Sequence, residues 1–111
     1  MAQREALLDG VFVALADPTR RAVIMRLGRG PATVGDLAHD FPMTLPSFMK
    51  HVRTLEINDL IHTSKSGRVR ICKLNHARLD VVESWLDEQR QIWDQRTDRL
   101  EQFVTDTEEH T

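Results

Sequence analysis

Apolar side chains fall at helical spacing along most of this chain and alternate over one short stretch. Leu7 and Leu8, Val11 and Phe12, and Leu15 recur at steps of three and four, which predicts a helix over residues 5–16. Asp17-Pro18 ends that helix and starts another. Asp is a preferred N-cap, and Pro fits the first helical position, where no backbone donor is needed. Val23, Ile24 and Leu27 give the second helix its apolar side, and Gly28, Gly30 and Pro31 stop it. Thr33 and Asp36 have the capping-box form and open a short helix with Val34, Leu37 and Ala38 inward. After Phe41-Pro42-Met43, Thr44 caps a fourth helix over residues 45–58. In it Phe48, Val52 and Leu55 make one apolar stripe, while Ser47, Lys50 and Arg53 project elsewhere.

The alternating stretch follows. Residues 60–64 and 68–74 are rich in Ile, Val and Thr and predict two strands, with Lys65-Ser66-Gly67 as the turn of a hairpin. Two short helices, the second basic outside, followed at once by a basic hairpin, make a winged helix-turn-helix arrangement. The expected fold class is therefore mainly α with a small β-hairpin.

From about Asn75 to Val104 the pattern is again helical. Leu79, Val82, Leu86, Gln89, Trp93, Arg96, Leu100 and Phe103 follow alternating steps of three and four, and Trp85 and Ile92 widen the seam. A helix of about 30 residues spans about 45 Å, longer than a small domain is wide. The seam is therefore expected to pair with a second copy of the chain, with Leu7, Val11 and Leu15 of the first helix closing the interface. The expected interface set is Leu7, Val11, Leu15, Trp85, Leu86, Trp93, Leu100 and Phe103. Residues 1–104 form the domain in this reading, and 105–111 a polar tail.

Composition bounds the function. At 111 residues the chain suits one domain, and its longest apolar run, Val11 to Ala16, is six residues. A membrane span needs about 20. With no charged-then-apolar leader, the expectation is a cytoplasmic protein without membrane attachment. Cys72 is the only cysteine, which excludes an internal disulfide and a zinc site of several thiolates. The histidines, His39, His51, His62, His76 and His110, show no metal-ligand spacing, and neither a metal nor a cofactor is expected.

The net charge of −2 conceals a strong asymmetry. Residues 1–43 carry five basic and five acidic side chains, residues 44–73 six and two, and residues 74–111 four and ten. Salt screens charges beyond about 8 Å, so a local +4 segment can hold a polyanion on an acidic chain. The candidate contacts to double-stranded DNA are Thr44, Pro46, Ser47, Met49, Lys50, His51 and Arg53 on the fourth helix and Lys65, Arg68 and Arg70 on the hairpin. A winged-helix module that binds only protein is the alternative. An enzyme is remote, since no nucleophile-base order, phosphate-cradling glycine loop or carboxylate pair in a cleft is visible.

The strings LADPTRRAVIMRL, TVGDLA, LPSFMKHVRTLEINDLI and SGRVRICKL closely resemble the ArsR family of winged helix-turn-helix transcriptional regulators. The likeness covers roughly residues 8–104. It implies a homodimeric repressor that binds an imperfect inverted repeat. Metal-sensing members carry paired cysteines where this chain reads VGDLAHDF, so the resemblance is to the metal-free branch. Leu45 and Met49 stand where many members have Gln and Ser, and apolar contact with a thymine methyl is the physical substitute. The signal that would release such a regulator, including any small molecule, is not named by the residues.

Overall fold

A computed structural model describes residues 2–109, with side chains through Thr105. Five helices and three strands follow in the order α1 (Ala2–Leu15), α2 (Pro18–Leu27), β1 (Ala32–Thr33), α3 (Val34–His39), α4 (Leu45–Ile57), β2 (Ile61–Ser66), β3 (Val69–Leu74) and α5 (His76–Glu109). Contacts divide the chain at Leu79 into two units.

The first unit holds everything from α1 to the start of α5. Its core is Leu8, Val11 and Ala14 from α1, Val23 and Leu27 from α2, Leu37 from α3, and Phe48, Val52 and Leu55 from α4, closed by Leu60, Ile61, Cys72 and Leu74. The helix boundaries are set by local chemistry. The Asp17 carboxylate accepts from the amides of Thr19 and Arg20, capping α2. Thr33 Oγ1 accepts from the Asp36 amide, and Thr44 Oγ1 from the Ser47 amide, capping α3 and α4. At the far end of α4 the Leu60 amide donates to Leu55 O and the Asp59 amide to Glu56 O, each at 3.0 Å. This pairing needs a left-handed residue just past the cap, and Asp59 takes φ 57°. Gly10 on α1 lets this end approach closely, since a β-carbon there would collide with the Asn58 side chain.

Two expectations are corrected here. The hairpin turn is Gly67-Arg68 rather than Lys65-Ser66-Gly67: Lys65 lies opposite Arg70 and Ser66 opposite Val69. A two-residue loop of this kind needs a first residue at positive φ, and Gly67 takes 63°. The sheet also has a third strand. Ala32 and Thr33 pair antiparallel with Cys72 and Ile71, so the order is β1-β3-β2. Two residues beside Gly30 and Pro31 are too few to show alternation, which is why pattern alone finds only a hairpin.

The second unit is the remainder of α5. The helix continues to Glu109, past Val104, so the start of the expected tail is helical. His110 and Thr111 lie outside the described residues. Along this helix Leu86, Ile92, Trp93, Leu100, Phe103 and Val104 are exposed. No helix among the described residues is long and apolar enough to cross a membrane.

Candidate nucleic-acid interface

The outward face of α4 follows from the inward one. At about 100° per residue, burying Phe48, Val52 and Leu55 turns Pro46, Lys50, Arg53 and Ile57 to the opposite side, with Ser47 and Thr54 beside them. Pro46, Ser47, Lys50, Arg53 and Ile57 are exposed accordingly. Thr44 Oγ1 both accepts from the Ser47 amide at 3.3 Å and donates to Ser47 Oγ at 3.0 Å, so the two hydroxyl groups form one polar knot at the start of the helix.

The wing stands beside this face. Arg53 and Arg70 line one cleft of about 250 Å³ with Met49, Val52 and Glu56. Met49 is half-buried there. Arg70 is braced across the hairpin, donating from Nη1 to Thr63 Oγ1 at 3.1 Å. Lys65 and Arg68 extend at the tip, both exposed.

Several arginines of the first unit are committed to the fold. Arg20 donates to Ala14 O and Val13 O, and Arg21 to Leu15 O, so both close the carbonyl end of α1. Arg26 donates to Gly30 O, and Arg78 pairs with Asp59 at 3.2 Å. By contrast, Lys50, Arg53, Lys65 and Arg68 make no hydrogen bond or ion pair among the described residues. Unpaired cations gathered on one helix face and the neighbouring wing suit a ligand with a dense row of negative charge, and a helix of this width fits the major groove of DNA.

His51, expected as a DNA contact, is held within the fold by other side chains. Its position on α4 turns it toward α2, where Nδ1 lies 3.1 Å from Arg20 Nη1 and 3.7 Å from Asp17 Oδ1. Burial works to raise the Asp17 carboxyl, but the amide hydrogen bonds and the neighbouring His51 and Arg20 outweigh it and hold the group below its usual 3.8. Val11, expected at an interface between copies, is 1 % exposed and belongs to the core. Leu15 and Trp85 are half-buried, whereas Leu7, Leu86, Trp93, Leu100 and Phe103 are exposed. Cys72 is fully buried on β3, and burial, with Glu56 nearby, pushes its thiol up. Among the described residues no group of three or more His, Cys, Asp or Glu could hold a metal ion.

A helix-turn-helix domain family matches residues 15–64. An HTH-type transcriptional regulator of Mycobacterium tuberculosis, Rv2034, is 37% identical over 79 residues, covering 71% of this chain and 74% of that protein. The transcriptional repressor SdpR of Bacillus subtilis is 32% identical over 79 residues, covering 71% of this chain and 88% of its own. Among solved structures, that of the ArsR family transcriptional regulator RHA00566 superposes with a TM-score of 0.78 at 54% identity, over 81% of this chain and 93% of that one.

Proposed function

The chain belongs to the ArsR family of helix-turn-helix transcriptional regulators, and on that premise we propose that it is a homodimeric repressor that reads an inverted-repeat operator with α4 and the wing. The observation that carries this reading is the set of unpaired cations Lys50, Arg53, Lys65 and Arg68, placed on α4 and the adjacent wing. In this proposal the start of α4 enters the major groove. Arg53 offers a bidentate fork to guanine, and Thr44 and Ser47 offer hydroxyl groups to bases or phosphates. Met49 and Pro46 supply apolar contact to thymine methyls. Lys65 and Arg68 at the wing tip, with Arg70 behind, take phosphates or the adjacent minor groove.

Homodimerisation is supported by the apolar side chains that α1 and α5 leave in solvent, Leu7 on the first and Leu86, Trp93, Leu100 and Phe103 on the second. Exposed apolar residues repeated along one long helix mark a surface for association. Half-buried Leu15 and Trp85 belong to the same two helices. The Bacillus subtilis relative SdpR is a transcriptional repressor. A regulator of this kind works in the cytoplasm.

Selection of bound duplexes from a random pool tests the proposal. The expected product is a pair of half-sites related by two-fold symmetry and spaced by about one helical turn, 10–10.5 base pairs. Recovery of single, unpaired half-sites contradicts the dimeric reader, and recovery of no enriched sequence contradicts specific recognition.

A further inference from the structure

We propose that His51 is a positioning residue: through its hydrogen bond to Arg20, backed by Asp17, it sets the seat of α4 against the end of α1, and so acts on DNA through the protein rather than by touching it. This rests on α4 being the DNA reader. Arg20 is the hub. Its Nε donates to Ala14 O at 2.6 Å, its Nη2 to Val13 O at 3.1 Å, and its Nη1 to His51 Nδ1 at 3.1 Å. All three guanidinium nitrogens are thus committed, two to α1 and one to the middle of α4. Asp17 fixes the backbone from which Arg20 reaches out, because its carboxylate accepts from the Arg20 amide at 3.1 Å and from the Thr19 amide at 2.8 Å.

A guanidinium can only donate, so this hydrogen bond requires the His51 tautomer with Nδ1 as acceptor and the ring proton on Nε2. At 3.7 Å the Asp17 oxygen is beyond hydrogen-bond reach of that nitrogen. His51 lies about a third of a turn from the exposed centre of the helix and its side chain is only 23% exposed. The planar fork of Arg20 holds one direction at each contact, so a small rotation of α4 breaks the bond. A reader helix out of place by an ångström loses specific base contacts before it loses phosphates, which tolerate more slack.

The test is a double-mutant cycle of Arg20→Ala and His51→Ala, with His51→Asn as rescue, since the Asn carbonyl oxygen stands where Nδ1 accepts. Affinity is measured for a duplex selected from a random pool by the wild type and for an unselected duplex. His51→Ala is expected to lower affinity for the selected duplex about tenfold with a much smaller loss on the unselected one. His51→Asn restores most of it, His51→Ala adds nothing in the Arg20→Ala background, and the salt slope is unchanged throughout. A full His51→Ala loss in the Arg20→Ala background shows direct contact with DNA and overturns the proposal, as does no loss at all. Hydrogen exchange of the α4 amides without DNA repeats the cycle independently: non-additive loss of protection with a wild type that binds no duplex means that the DNA reading fails while the clamp stands, and additive loss removes the clamp.

Discussion

Arg20 and Arg21 differ from Arg53 and Arg68 in what their side chains bind. Arg20 and Arg21 stand in the first turn of α2 yet close the last turn of α1 by donating to the Ala14 and Leu15 carbonyls. Arg53 and Arg68 bind nothing in the protein among the described residues. Replacing Lys50 and Arg53 together by Ala is expected to lower duplex affinity by about 2–4 kcal/mol, from about 1–3 kcal/mol for a base contact plus a phosphate charge. The folding midpoint and oligomeric state should stay as they are, which thermal unfolding and sedimentation check. Unchanged binding removes α4 from the interface. Asp17 gives a prediction in pH. Its carboxyl titrates lower in the folded chain than its usual 3.8, so the charged cap stabilises the fold above that value and the benefit is lost as pH falls through the folded value. Asp17→Asn keeps a capping oxygen without the charge. The stability gap between wild type and variant should therefore close in acid, and a gap independent of pH contradicts the assignment. Cys72 is buried with a raised thiol, so folded protein should resist a thiol reagent that labels the unfolded chain rapidly.

At the scale of elements, legibility followed signal strength. The caps at Asp17, Thr33 and Thr44 were readable, because an N-cap depends on one side chain and its next three neighbours. The stripe of Phe48, Val52 and Leu55 was readable as well, and it orients α4 by itself. β1 was not, because its two residues are held by pairing with β3 from forty positions away, which no local window records. The partner of His51 was hidden for the same reason: Arg20 lies 31 positions earlier in the chain. The wing makes its own prediction. Arg68 sits in the two-residue turn at the tip, where a phosphate contact carries charge without base information. Arg68→Ala should weaken binding alike on all duplexes and flatten the salt slope by about one per chain. A loss confined to one duplex sequence contradicts that placement.

For the molecule as a whole, positive and negative charge fall on different elements. The cations of residues 44–73 sit with the reader helix and wing, while α5 carries most of the carboxylates together with Leu86, Trp93, Leu100 and Phe103 in solvent. A net charge of −2 would exclude a DNA binder only if charge were spread evenly. Placing Glu at Leu86 or Trp93 should give monomers in sedimentation and, with one half-site reader lost from each complex, weaken operator binding steeply. A surviving dimer puts the interface elsewhere. The most direct measurement of the central claim, that α4 and the wing together face DNA, is duplex affinity across a series of salt concentrations for the wild type and for Lys50→Ala with Arg53→Ala. With about half of the twelve basic groups that residues 44–73 bring to the proposed dimer on phosphate, the slope of log K against log salt should be about −5. In the variant it should shrink by two or more. A wild-type slope near zero, or one that the variant leaves untouched, contradicts the account.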